Sequence, residues 1–569
     1  MKKNNFLCAN FLLILMLISS SLSAQNATLE WAKQFEGVYS NMPLSIAVDA
    51  SGNVYTTGVF EGTVDFDPGP GNYFLSSAGG EDIFISKLDA SGNFVWAIQM
   101  GSSNDEFGSS ITVDGSQNIV LTGGFQGTVD FDSGPNTHLL TSTGDVDIFI
   151  CKLTPSGDFI WAKNMGGGGL DQSNFITTDH LGNIYTTGYF MGTADFDPGV
   201  GSLLLTATGA NSVFISKLDS SGEFVWAKML DGTGQANGTS LAIDTAGNIH
   251  ITGNFSGNID FDPGSGTFIL SAIGGTDIFI VKLTSTGNLV WAKSIGGNDS
   301  EQGLSIATDA SGNVYTTGQF RDTVNFDPGC GIFNLYSLGQ SDIFISKLDI
   351  SGNFVWAKQM GGPSGDVARS IIFDKNNNIY TTGYFAGTAD FDPGTGNYNL
   401  TSAGYLDAFF LKLDANGDFV WAKQIEGSGI IFGLTMAMDV SGNIYGAGIF
   451  QGTPDFDPNN GTFNMTSGGD YDSYVMKLNQ IVGVDENNSS KQNIILYPNP
   501  TTGSFFIDLR HWNNRGTIHV KNMLGQNIIS VPYIPNTINE LNISDGGGVY
   551  FVEIISFTRE KAVRKILKQ

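Results

Sequence analysis

Seven tryptophans at an unbroken 65-residue spacing, strand-type runs without helical periodicity, and unmatched first and last strands predict an all-β chain. The expected architecture is a seven-bladed β-propeller closed by its own N-terminal strand, followed by a small C-terminal β-sandwich. The recurring residues are Trp31, Trp96, Trp161, Trp226, Trp291, Trp356 and Trp421, read as structural packing between units. A period of this size marks modules that bury an apolar face only by stacking on a neighbour. No copy carries an insertion, so none has a private loop from which a catalytic centre could be assembled.

The elements follow in chain order. Residues 1–24 read as a secretory signal: Lys2 and Lys3, an apolar run from Phe11 to Ile18, then a serine-rich stretch with cleavage after Ser23 or Ala24. That run is too short to span a bilayer, so no transmembrane segment is expected. Cys8 precedes the run, the wrong place for a lipoprotein cysteine. Cys151 and Cys330 occupy non-equivalent repeat positions and are expected as free thiols.

Residues 27–480 hold the repeats. In the copy that begins at Phe94, the Trp96 strand leads through a glycine-rich loop to Ser110–Asp114, a turn, and Asn118–Phe125. Then come Asp130-Phe131-Asp132 and Asp147–Leu153, with a Pro-Ser-Gly turn before the next Trp strand. β-Branched and aromatic runs bounded by Gly, Asn and Asp are strand signals, and four such strands make a propeller blade. The Asp-Phe-Asp segment lengthens each copy beyond the usual blade. The repeats start on a Trp strand (Leu29 to Phe35) and end on a Lys-Leu strand (Val475 to Leu478). This cut inside a hairpin suits a ring, in which the first strand pairs with the last and free edges vanish.

The runs Asp49–Gly58 and Ile85–Trp96 resemble the bacterial SBBP β-propeller repeat. The resemblance implies a propeller and secretion, and no particular activity.

Residues 481–493 read as a polar linker. Beyond them, eight basic residues face five acidic ones over 494–569, whereas the whole chain carries a formal charge of −28. That shift marks a domain boundary. Alternating apolar segments here predict the sandwich. Pro498, Asn499, Pro500 and Gly503, then Gly525, then Gly548 and Tyr550, and a basic end with Lys565 resemble the type A C-terminal sorting domain of the type IX secretion system. The resemblance implies passage through the periplasm by the general secretion machinery, export by the type IX translocon, and removal of the domain by a sortase-like peptidase. It implies a product secreted or attached to the outer-membrane surface.

The chemistry is sparse. The acidic balance argues against nucleic acid, which requires a basic surface. Asp65 and Asp67, Asp195 and Asp197, Asp260 and Asp262, and Asp390 and Asp392 are candidate Ca²⁺ ligands, since paired carboxylates share one face of an extended segment. The same residues also suit a turn of the Asp-Pro-Gly type, and the fifth copy has Asn325 in place of the first Asp. No other cofactor is expected. His138, His180 and His250 read as surface or turn residues at non-equivalent positions, so no catalytic constellation is expected. The loops after each Trp strand (36–42, 101–107, 166–172, 231–237, 296–302, 361–367, 426–432) vary among copies. So do residues flanking a constant Phe, such as Tyr189, Met191 and Asn254. Constant scaffold with variable loops suits a non-enzymatic binding module for a glycan, protein or envelope polymer. A calcium-stabilised adhesive ring and a glycan-active hydrolase or lyase are the alternatives.

Overall fold

The computed structural model describes residues 27–459, 461–480, 494–510, 515–522, 526–544, 546–556 and 561–568. The expected signal segment with Cys8, the linker 481–493, Gly525 and His511 lie outside the described residues. Every regular element among the described residues is a strand. Asn26–Gln480 forms one compact unit, and Ile481–Gln569 falls in a second.

Each copy in the first unit is built on four antiparallel strands. In the second copy these are Phe107–Val113, Ile119–Phe125, Asp147–Leu153 and Phe159–Gly167, paired in that order. The second and third of these are buried along their whole length, which is why Ile119–Phe125 reads as a continuous run of apolar, Thr and Gly residues and Asp147–Leu153 is apolar apart from Asp147 and Lys152. Their first turn is closed by Asp114, whose Oδ1 accepts the N–H groups of Ser116 and Asn118 at 2.8 and 2.9 Å.

Consecutive copies share a buried cluster. Tyr55, Ile83 and Met100 of one copy pack with Ile111, Phe125 and Phe131 of the next. Equivalent clusters lie at the following junctions. A further one joins Tyr445, Ala447 and Val475 of the last copy to Trp31, Phe35, Ile46 and Phe66. The N-terminal strand Ala27–Gly37 pairs with Asp472–Gln480 and sets Trp31 opposite Lys477, just as Trp96 stands opposite Lys87 within the chain.

A polar latch accompanies three of the apolar junctions among the described residues. Trp96 Nε1 and Lys87 Nζ both donate to the Pro155 carbonyl in the next copy's hairpin turn, at 3.4 and 2.8 Å. Trp31 Nε1 and Lys477 Nζ repeat this on the Ala90 carbonyl, both at 3.3 Å, although they come from opposite ends of the repeat region. The turn glycine is required there. Gly92 has φ 77°, and a Cβ on it would meet Trp31 Cδ2 at 2.8 Å. At the junction served by Lys412 and Trp421, the described strand ends at Gln480, which occupies the position of the acceptor residues Ala90 and Pro155. Gln480 Oε1 stands in as acceptor for Lys412 Nζ at 3.0 Å and Tyr380 OH at 2.8 Å, and the buried Trp421 indole nitrogen has no hydrogen-bond partner among the described residues.

The Asp-Phe-Asp segment forms a clasp between copies. Thr193–Asp195 and Leu204–Thr206 make a short hairpin, whose first arm pairs with Gly166 and Gly167 at the end of the preceding outer strand. Asp65 and Val64 pair with Glu36 and Gly37 in the same way. The Phe66 ring is fully buried, 5.2 Å from Phe35 and 5.0 Å from Phe84.

Paired acids support the variable loops. Buried Asp82, Asp147, Asp277 and Asp342 lie near Glu106, Asp171, Glu301 and Asp366, which sit at the ends of the loops. Asp171 accepts the N–H groups of Gly167 at 2.7 Å and of Met191 at 3.1 Å, tying a loop to the next copy. Burial and a like-charged neighbour push Asp171 up to about 6, and Glu301 and Asp366 up to about 7; burial pushes Asp277 to about 6.

The histidines correct one expectation. His250 is neither a surface nor a turn residue: it is fully buried, takes the position filled elsewhere by Tyr55 and Tyr185, and its Nε2 lies 3.1 Å from Asp244 Oδ2. Like those tyrosines, it bonds the turn aspartate, and burial pushes its imidazole below the usual range. His138 is half-buried with Nε2 at 3.1 Å from the Ala162 carbonyl, and His180 is exposed. Cys151 and Cys330 are free thiols, the first buried and the second exposed.

The second unit is two small antiparallel sheets. One holds Ile495–Tyr497, Ser504–Asp508 and Ile538–Asn542; the other holds Asn527–Tyr533, Gly516–Lys521, Gly548–Ser556 and Lys561–Lys568. Phe505, Ile507, Ile518, Val520, Val552, Ile554 and Ile566 fill the space between them.

Two predictions follow from the junctions. Phe35→Ala is expected to destabilise the mature chain by about 3–5 kcal/mol, at least as much as Met100→Ala at the equivalent internal position. Chemical denaturation checks this, and a negligible effect at Phe35 alone would mean that the terminal strand carries little of the fold. The raised carboxyls make stability pH-dependent. Their contribution is full below the ordinary value near about 4 and is lost as pH rises through about 6–7. The melting temperature should therefore fall between about pH 5 and about pH 8. Glu301→Gln keeps an acceptor for the Gly297 N–H, bonded at 2.9 Å, and places an amide where Glu301 Oε1 has no partner. It should raise the melting temperature at the higher pH and change little at the lower. Equal effects at both would contradict the assignment.

Candidate functional site

One strand of each copy forms the wall of a common cavity: Asn41–Val48, Phe107–Val113, Gln172–Thr178, Ala236–Ile243, Gln302–Thr308, Val367–Phe373 and Ile431–Met438. Each touches the next in chain order, and the last also touches the first. Each carries one extra residue relative to its partner strand, so the register steps over Leu44, Ser109, Asn174, Thr239, Leu304, Arg369 and Leu434. A bulge leaves that residue unpaired and re-aims its side chain. These seven residues, with those that follow them, line a cavity of about 400 Å³.

The two rows of lining residues differ in character. Ser45, Ser110, Ser240 and Ser305 each accept a backbone N–H from the next copy (Ile111, Ile176, Ile306, Ile371) at 3.1–3.3 Å. That row is scaffold. The bulge row is varied: leucine in three copies, and a serine, an asparagine, a threonine and an arginine in the other four. Asn174 Nδ2 donates to Asn237 Oδ1 at 2.7 Å and to the Gly238 carbonyl at 2.9 Å, and Thr239 Oγ1 donates to the Gly303 carbonyl at 2.6 Å. The lining holds no carboxyl group, although the chain carries 55 acidic residues.

The bulges lie at the loop end of their strands. There the two variable sets meet: Tyr189, Met191 and Asn254 join Gln235, Ala236 and Asn237 around a second pocket of about 300 Å³. Asn237 lines both cavities, and Tyr189 OH donates to Gln172 Oε1 at 2.9 Å on the rim of the central one.

The candidate metal ligands stand elsewhere, in the clasp hairpins. Asp65 Oδ1 accepts the N–H groups of Asp67 and Tyr73 at 3.0 and 2.8 Å, and Asp67 Oδ1 accepts that of Gly69 at 2.8 Å. Asp195 and Asp197, Asp260 and Asp262, and Asp390 and Asp392 repeat this pattern. Asn325 performs the same task with its amide oxygen, accepting from Asp327 and Phe333 at 3.1 and 2.8 Å. Among the described residues no three His, Cys, Asp or Glu side chains come together as a metal centre. What sequence reasoning missed is the bulge column. Its signal was a position that takes five residue types over seven copies, next to a position that is serine in five of them.

In the C-terminal unit, Asn499 Nδ2 donates to the Lys565 carbonyl and its Oδ1 accepts the Leu567 N–H, both at 2.9 Å. Between Pro498 and Pro500, this side chain therefore caps the backbone of the last strand. The Gly503 carbonyl accepts the Ile543 N–H at 3.0 Å, and Tyr550 OH donates to the Gly546 carbonyl at 2.6 Å. Gly548 begins the strand that pairs with Lys561–Lys568.

Residues 495–569 match the secretion system C-terminal sorting domain, and residues 355–384 match a beta-propeller repeat. An uncharacterized WD repeat-containing protein of Acanthamoeba polyphaga mimivirus is 25% identical over 542 residues, covering 80% of this chain and 39% of that protein. The regulatory protein FlaEY of Caulobacter vibrioides is 29% identical over 148 residues, 25% of this chain and 15% of that one. The chain thus spans well under half the length of these curated relatives. Among solved structures, a protein of unknown function from Bacteroides caccae is similar at a TM-score of 0.27 and 10% identity, covering 59% of this chain and 94% of that one. A gluconolactonase from Xanthomonas campestris is similar at a TM-score of 0.26 and 12% identity, covering 62% and 96%. Neither likeness is strong enough to bear on activity. The two matches show a beta-propeller repeat at residues 355–384 and a secretion system C-terminal sorting domain at residues 495–569, and the second indicates export, with secretion or attachment at the outer-membrane surface.

Proposed function

We propose that residues 27–480 form a seven-bladed β-propeller closed by the N-terminal strand, and that this ring is a non-enzymatic binding module displayed outside the cell. The cyclic order of the junction clusters and the pairing of Ala27–Gly37 with Asp472–Gln480 support the ring. The observation that carries the binding reading is the bulge row: a repeated backbone device presents five kinds of side chain, leucine in three copies and a different polar group in each of the other four, to one shared cavity. Glycan cleavage generally uses two carboxyl groups flanking the scissile bond. The acid-free lining favours recognition over that chemistry. The other known-partner reading follows from the tail alone: the type IX machinery engages residues 495–569.

The test is retention of the mature chain on immobilised envelope polysaccharides, alongside Asn174→Leu and Thr239→Leu. Wild type should be retained and both variants released early while each still shows a cooperative melting transition, since leucine fills the same position in three other copies. Equal retention of all three would move the binding surface away from the cavity, and turnover of the polysaccharide would replace the binding reading with an enzymatic one.

A further inference from the structure

We infer that the central cavity takes a small hydroxylated ligand bearing a single negative charge, carboxylate or sulfate ester, held by Arg369; this rests on the binding reading above. The repeat region contains two arginines, Arg321 and Arg369. Arg321 lies 4.0 Å from Asp299. Arg369 is exposed, lines the cavity, and makes no ion pair or side-chain hydrogen bond among the described residues. Its equivalents in the other copies are Leu44, Ser109, Asn174, Thr239, Leu304 and Leu434, so the charge serves no repeated structural task. Most lysines of the repeats, by contrast, recur at fixed positions beside the tryptophans.

The surroundings sharpen the ligand. In the proposed ring the sixth copy lies opposite the second and third, which sets Arg369 across from Ser109 and Asn174. Leu304 and Leu434 flank it. An anionic group at Arg369 therefore leaves the ligand body between apolar shoulders, with its far edge against hydroxyl and amide groups. One guanidinium compensates one charge bidentately. A phosphate dianion would leave a charge unmatched inside a protein of net charge −28. The volume of about 400 Å³ suits one or two sugar rings rather than a polymer threaded through.

Calorimetric titration of the mature chain with D-glucuronate, its methyl ester and glucose 6-sulfate tests this, with Arg369→Gln and Arg369→Lys alongside. Expected is binding of glucuronate or of the sulfate ester, whichever anion is native. The methyl ester should bind roughly tenfold more weakly or worse. Arg369→Gln should abolish the difference, and Arg369→Lys should restore part of it. Arg369 is exposed, so the melting temperature reports whether the variants fold. The proposal is overturned if neither anion binds, if the methyl ester binds as well as the tighter of the two anions, or if Arg369→Gln changes nothing. Retention on polysaccharide that survives any of these results leaves the binding reading standing and removes only the anion.

Discussion

Everything in the repeat region depends on the junction between copies. A four-stranded sheet of this composition has two apolar faces and cannot bury either alone. Phe131, Phe66 and their counterparts are buried only because the neighbouring copy supplies the other wall. The tryptophan and lysine latch adds direction to that contact, since both groups must reach one carbonyl in the adjoining turn. A 65-residue copy can neither gain nor lose a residue without misplacing its clasp hairpin, its turn glycine or its latch. The fixed length is thus a packing constraint, and variation is concentrated in side chains outside the buried junction clusters.

That confinement explains where function can reside. Loops at the bulge end vary, but buried acids such as Asp171 and Asp366 pin them to the next copy, so they change composition more freely than shape. The bulge residues are freer still, because their neighbours already satisfy the sheet. Their outlook is unusual for this protein: an exterior rich in carboxylates surrounds a cavity without any. Charge of that magnitude keeps the exported chain soluble and dispersed, while the cavity stays free to select a ligand on other grounds.

Much of this was legible in the sequence. The tryptophan period, the apolar runs and the Asp-Ser-Gly-Asn turns state the strands directly, and the composition shift after residue 493 marks the C-terminal domain. Other features were hidden for physical reasons. Strict alternation cannot reveal that Arg369 points into a cavity, because the bulge interrupts the two-residue period. His250 reads as an isolated polar residue until its position is aligned with Tyr55, whose bond to the turn aspartate it replaces. The acid pairs join the start of one strand to a loop two turns later, a proximity created only by stacking. The Asp-Phe-Asp segment offered both calcium ligands and a turn in the sequence; in the structure the Oδ1 atoms accept backbone N–H groups, and the segment forms the clasp hairpin. The role of Asn499 was visible as a motif residue, but its grip on the last strand depends on pairing across 68 residues.

The central claim is that equal copies close on themselves through the terminal strand. Class averages from electron microscopy of residues 25–480 test it most directly. The account predicts a circular particle with seven lobes around a central opening; an open arc, or a particle with another number of lobes, would contradict it.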